Sequence, residues 1–135
     1  MNITEKIKTG MTNTVYSLVS DENTAETFKS GTLPVYATPA MVALMEQASA
    51  ELAEVLLPDE WTSVGISMNI AHLSASPVNI KISATATVTA IDDRKITYTI
   101  TASDESGLIG KGTHERFVVN KTKFLQKAAH KLAKK

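Results

Sequence analysis

TPAMVALMEQASAELAEVLLP, residues 38–58, decides how this chain of 135 residues folds. Thr38 followed by Pro39 is a helix-start signal. It pairs a side-chain oxygen that can cap with a proline whose missing N–H costs nothing in the first turn. Pro58 ends the run, because a proline can neither continue the hydrogen-bond ladder nor leave its predecessor helical. Between them Met41, Leu44, Met45, Ala48, Leu52, Val55 and Leu56 recur at spacings of three and four. That is the stripe of a helix laid on a core. The spacing predicts a long helix from about Pro39 to Leu57.

Beyond Pro58 the period changes from 3.6 to 2. Val64, Ile66, Met68, Ile70 and then His72 alternate on one face of an expected strand. Val78, Ile80, Ile82, Ala84, Ala86, Val88 and Ala90 do so on the next, with Asn79, Lys81, Ser83, Thr85, Thr87 and Thr89 opposite. Ile96, Tyr98, Ile100 and Ala102 mark a third strand, and Leu108 to Val119 a fourth. Asp92-Asp93 and Asp104-Glu105-Ser106-Gly107 are the turn signals between them. Upstream of the helix, Met11 to Ser20 reads as a strand. Residues 21–37 read as a loop with one short helical turn. A short Lys-rich helix follows Val119. The order is strand, loop, long helix, then four strands in a meander. One helix can cover only one face of such a sheet, so the expected fold is α+β: a long helix packed on one face of a five-stranded antiparallel sheet, in a single domain spanning 1–135.

Apolar residues at 43 % and charged residues at 21 % are ordinary for a globular chain. Cysteine is absent, which excludes a disulfide framework, a thiolate zinc site and a cysteine nucleophile together. Three scattered histidines, His72, His114 and His130, do not make a metal site, and no P-loop, Rossmann glycine pattern, HExxH or GxSxG is present. No apolar run approaches the ~20 residues that span a bilayer. Met1 to Gly10 is polar and mixed in charge, unlike a secretory or transit leader, so a cytoplasmic location without membrane contact is expected. The fourteen bases balance the fourteen acids, yet six bases fall in residues 121–135 and every acid precedes them. That tail, the Lys-rich C-terminal helix, has no interleaved aromatics or binding motif, so it reads as a solvated helix end and not as a nucleic-acid site.

Two residues break the apolar pattern. Wound at about 100° per residue, Glu46 falls away from the polar arc of Gln47, Glu51 and Glu54, among Val42, Ala50, Ala53 and Leu57. An ionised carboxylate on an apolar face must be paired or shift its pKa, which makes Glu46 a candidate for chemistry. His72 continues the apolar face of its strand toward the helix, close to where Ser74, Ser76 and Pro77 end the row. Thr38 stands where a helix start offers free N–H groups and a positive dipole end to a developing oxyanion. It lies eight residues from Glu46, about 12 Å along the axis. His114 reads as structural.

LPVYATPAMVALMEQAS (33–49), VGISMNIAHLSASP (64–77) and GKGTHERFVV (110–119) together resemble the fluoroacetyl-coenzyme A thioesterase-like family of hotdog-fold proteins. The likeness runs without gaps from about Val35 to Val119. It implies a hotdog fold, a homodimer with active sites at the dimer interface, and hydrolysis of a small acyl-coenzyme A thioester. It further implies a catalytic set at Thr38, Glu46 and His72, with Gly65 and Arg116 around the acyl group as substrate-binding positions. No cofactor is expected, coenzyme A being part of the substrate. The family's fluoroacetyl-specific enzyme carries lid phenylalanines in the loop before the catalytic threonine. Here that loop, Lys29-Ser30-Gly31-Thr32-Leu33-Pro34, has none, and the acyl group stays open. A non-catalytic acyl-CoA or small-ligand binding module on the same fold is the alternative reading.

Overall fold

A computed structural model describes residues 2–133. The elements run β1 (Thr12–Leu18), α1 (Ala25–Phe28), α2 (Thr38–Glu54), β2 (Trp61–His72), β3 (Lys81–Asp92), β4 (Lys95–Asp104), β5 (Gly107–Asn120) and α3 (Lys121–Ala133). The strands form one antiparallel sheet in the order β1-β3-β4-β5-β2. α2 packs across it, chiefly on β1, β3 and β2. The α+β architecture of helix on sheet is as expected, but the meander is not complete. Only β3, β4 and β5 follow one another. β2 pairs with β5 at one edge, so residues 73–80 cross the sheet to reach β3. Each hairpin turns on two residues. Asp93 takes the left-handed φ of 55° in the first. In the second Asp104 Oδ1 accepts from the Ser106 and Gly107 amides.

The core lies between α2 and the inner sheet face. Met41, Met45 and Ala48 of the helix meet Ile82, Ala84, Ala86, Val88, Ile96 and Ile100, all essentially free of solvent contact. The small Ala84 and Ala86 let the helix approach the middle of the sheet. Three details depart from the sequence expectation. The helix ends at Glu54, three residues early: Leu56 N–H turns back to the Ala53 carbonyl in the tight bonding common at a helix end. Val55 thereby leaves the stripe and is 82 % exposed. Ala53, which helical phase places on the same side as Glu46 and away from the main apolar stripe, is fully buried in its own chain.

Two strands also switch faces at β-bulges. In β2 the register jumps between Gly65 and Ser67, so Ile66 is the extra residue and points outward, 52 % exposed. Ser63 is buried before the bulge, and Met68, Ile70 and His72 are half-buried after it. In β3 a second jump between Val88 and Ala90 exposes Ala90 and brings Ile91 toward the core. Every described residue of α3 is exposed. Lys134 and Lys135, the end of the Lys-rich tail, lie outside the described residues. Among the described residues no helix is long and apolar enough to cross a membrane.

Candidate active site

Two clusters flank α2. The first is at its N-terminus. Thr38 was expected as the cap, but the cap residue is Ala37, which makes no side-chain bond there. Thr38 is the first helical residue and Pro39 the second. The reason lies across the fold: Thr38 Oγ1 sits 2.7 Å from His72 Nδ1. A backbone bridge holds these residues together: Val35 pairs antiparallel with Pro77, and within that pairing Tyr36 N–H donates to the Ser76 carbonyl. The segment entering the helix is thus fastened to the segment leaving β2. Ser76 is fastened in turn by its hydroxyl, which donates to Asp104 Oδ2 at 2.8 Å. His72 Nε2 is buried and has no hydrogen-bond partner among the described residues, and the Tyr36 ring meets the imidazole edge-on. Burial holds the His72 pKa below the ordinary imidazole value, with the Ser74 backbone pulling the other way. A cavity of about 280 Å³ opens here, lined by Val35, Tyr36, Thr38, His72, Leu73 and Ser74 among others.

The second cluster is two turns along the helix. Glu46 Oε2 lies 3.4 Å from Arg116 Nη1. The carboxylate expected to be paired or perturbed is paired. Arg116 comes from the inner face of β5 and is buried. Its Nε–H donates to Ser63 Oγ at 2.8 Å, and Nη2 donates to the Ser63 carbonyl at 2.9 Å. Desolvation lowers the Arg116 pKa while Glu46 opposes the shift, and a guanidinium stays charged under such a shift. Gly65 is the strand partner of Arg116. A Cβ at that position would stand 2.6 Å from Glu46 Oε2 and 3.4 Å from Arg116 Nη1. Only glycine leaves the room these two groups use.

The structure therefore brings Thr38 to His72, and Glu46 to Gly65 and Arg116. No hydrogen bond or ion pair among the described residues joins the two clusters. Sequence reasoning missed Ser63, and it set His114 aside as structural. His114 is buried against Arg116, its Nε2 lying 3.1 Å from Nη1. A usable signal was present: His114 and Arg116 alternate with Val118 on one strand face, which is the core face.

Residues 19–122 match the family described as fluoroacetyl-CoA-specific thioesterase. The fluoroacetyl-CoA thioesterase of Streptantibioticus cattleyicolor is 36 % identical over 98 residues, which is 72 % of this chain and 70 % of that protein. A solved structure of a fluoroacetyl-CoA thioesterase, a threonine-to-serine mutant in complex with acetyl-CoA, superposes with a TM-score of 0.88 at 27 % identity. That match covers 93 % of this chain and 98 % of the other. A hot-dog-like protein from Thermanaerovibrio acidaminovorans superposes with a TM-score of 0.86 at 24 % identity, over 97 % of this chain and 96 % of that one. The helix-on-sheet architecture is the hotdog fold.

Proposed function

The chain belongs to the fluoroacetyl-CoA-specific thioesterase family and is a hydrolase of acyl-coenzyme A thioesters, and on that premise we propose that Thr38, Glu46 and His72 carry the reaction on a small acyl group. One observation carries this reading: the 2.7 Å contact between Thr38 Oγ1 and His72 Nδ1 at the wall of a cavity that opens at a helix N-terminus. The thioester carbonyl lies at this end of α2. There the Thr38 hydroxyl, the first-turn amides and the positive end of the helix dipole stabilise the oxyanion.

Glu46 is the base or the nucleophile. One of its oxygens faces Arg116 and the other makes no protein hydrogen bond among the described residues. As a base it takes a proton from water while the water oxygen bonds to the acyl carbon. The carbon–sulfur bond then breaks, and the thiolate of coenzyme A leaves with a proton relayed through His72. As a nucleophile Glu46 bonds to the acyl carbon itself while the carbon–sulfur bond breaks and the thiolate of coenzyme A leaves, and water then cleaves the resulting anhydride to the free acid and the Glu46 carboxylate. Gly65 and Arg116 border the acyl group. Coenzyme A is part of the substrate, and no other cofactor takes part.

The two clusters lie about 12 Å apart along α2, which supports a homodimer whose sites join Thr38 and His72 of one copy to Glu46 of the other. The Glu46 side chain is 45 % exposed in the single chain, Val42 and Ala50 beside it are likewise only half-buried, and β2 is an edge strand. A second copy covers all of these. A monomer at micromolar concentration by sizing with light scattering overturns the dimer. The absence of phenylalanine from Lys29 to Pro34 supports an acyl group other than fluoroacetyl, and the cysteine-free chain suits the cytoplasm. The test is hydrolysis of a panel of acyl-coenzyme A esters followed with a thiol-reactive dye. Turnover is expected on short acyl chains and falls with chain length. Preference for long chains overturns the assignment of a small acyl group.

A further inference from the structure

Arg116 directs four N–H groups to its own chain. Two go to Ser63, as described. Nη1 donates the other two, to Glu46 Oε2 at 3.4 Å and to His114 Nε2 at 3.1 Å. The last contact fixes the state of the imidazole. A guanidinium only donates, so His114 Nε2 accepts. The Ser67 carbonyl only accepts, so His114 Nδ1, 2.8 Å away, carries the proton. His114 is therefore a neutral imidazole in one tautomer. It is 1 % exposed and stacked on Tyr98 with ring centroids 6.1 Å apart. Its Cε1 also lies 3.1 Å from the point where a Gly65 Cβ would stand. His114, Arg116 and Glu46 thus converge on one spot beside the bulge in β2.

We propose that His114 is a positioning residue of the thioesterase reaction: together with Ser63 it clamps the Arg116 guanidinium so that Arg116 meets Glu46 through one long contact, leaving the second carboxylate oxygen for chemistry. An arginine and a carboxylate left to themselves favour two parallel hydrogen bonds. That geometry ties up both oxygens and weakens the carboxylate as base or nucleophile. The clamp prevents it by engaging the N–H groups that a second contact to Glu46 would need: Ser63 holds Nε and Nη2, and His114 holds the other N–H of Nη1. Ser63 takes one edge of the guanidinium and His114 takes an N–H of Nη1, so the group cannot swing toward α2 without leaving buried acceptors unpaired. The charge of Arg116 stays close enough to bias Glu46 and remains held off from capturing it.

This inference rests on Glu46 as the reacting carboxylate, and the experiment separates the two ideas. His114→Gln puts an amide oxygen near the place of Nε2 and can still accept from Arg116. His114→Asn puts an amide nitrogen near the place of Nδ1 and keeps only the bond to Ser67. His114→Gln is expected to hold kcat within about threefold. His114→Asn is expected to lose at least about tenfold in kcat with KM little changed, as a displaced catalytic group does. Equal kcat in the two variants, whether both fall or neither does, overturns the proposal. If His114→Asn does not fold, Ser63→Ala loosens the same clamp from the other side, and parental kcat there overturns it as well. Glu46→Gln is run alongside: full activity in that variant defeats the reading of the site itself, whereas an inactive Glu46→Gln beside a fully active His114→Asn defeats only the clamp.

Discussion

Glu46 and Glu54 stand two turns apart on α2, and each meets a cation from the end of β5 or the start of α3. The carboxylates are similarly exposed, 45 % and 48 %. The ion-pair distances are 3.4 Å to Arg116 and 3.8 Å to Lys121. The difference is in the cations. The Arg116 side chain is 8 % exposed and held by Ser63 and His114, whereas that of Lys121 is 45 % exposed. Glu54 takes an ordinary surface hydrogen bond from Thr62 at 2.8 Å. A carboxylate on this helix is set apart by a fixed charge behind it, and its own burial contributes little to the distinction.

The largest expected effect separates the two glutamates directly. Glu46→Gln should lower kcat by at least about a hundredfold, the low end of what a positioned acid–base group contributes. Glu54→Gln should stay within about twofold. Equal activities would erase the contrast. Next come the cations. Arg116→Ala strands the Ser63 carbonyl and His114 Nε2 in a buried place, so denaturant melts should show a loss of about 1–3 kcal/mol. Lys121→Ala should change stability by under about 0.5 kcal/mol, as exposed pairs do. Similar losses in both would mean that burial of the cation does not matter.

A smaller effect appears in the pH dependence of stability. Burial is the first cause that lowers the pKa of both His72 and His114 below 6.5. The unfolded chain therefore takes up these protons first as pH falls. Their contribution to stability is complete above pH 6.5 and is lost as pH falls from there through the folded-state values. The melting temperature should drop between pH 7 and pH 5, and His114→Gln should drop less because one such group is gone. An identical drop in that variant would assign the acid sensitivity to other groups. The smallest change is expected in the tail. Truncation after Asn120 should leave KM for acyl-coenzyme A within about twofold, since every described α3 residue is solvated. A rise in KM that grows as salt is lowered would instead put the lysines on the phosphates of the substrate.

Much of this contrast was legible along the chain. Helical phase alone separated Glu46 from Glu51 and Glu54, because the polar arc of α2 is narrow and Glu46 lies outside it. Alternation alone aimed His72 at the helix. The cap could not be read in the same way. A threonine before a proline promises a local hydrogen bond, yet His72, 34 residues away, takes the hydroxyl instead. Nor could Ser63, an unremarkable strand residue until Arg116 reaches it from 53 residues away.

What the sequence by itself determined is whatever repeats locally: the place where α2 begins, the five strands, the two hairpin turns and the core faces of β3 up to its bulge and of β4. These follow from side-chain periods and turn chemistry that act over a few residues. The tertiary structure decided the strand order, the bulges in β2 and β3, and the company each polar side chain keeps. A bulge inserts one residue and shifts a period-two pattern by half a cycle, so a strand reads as well on the wrong face as on the right one until its partner's register is known. The pairing of Arg116 with Ser63, His114 and Glu46 depends on that register, because only the jump between Gly65 and Ser67 lets Ser63 and His72 both face the helix from a single strand.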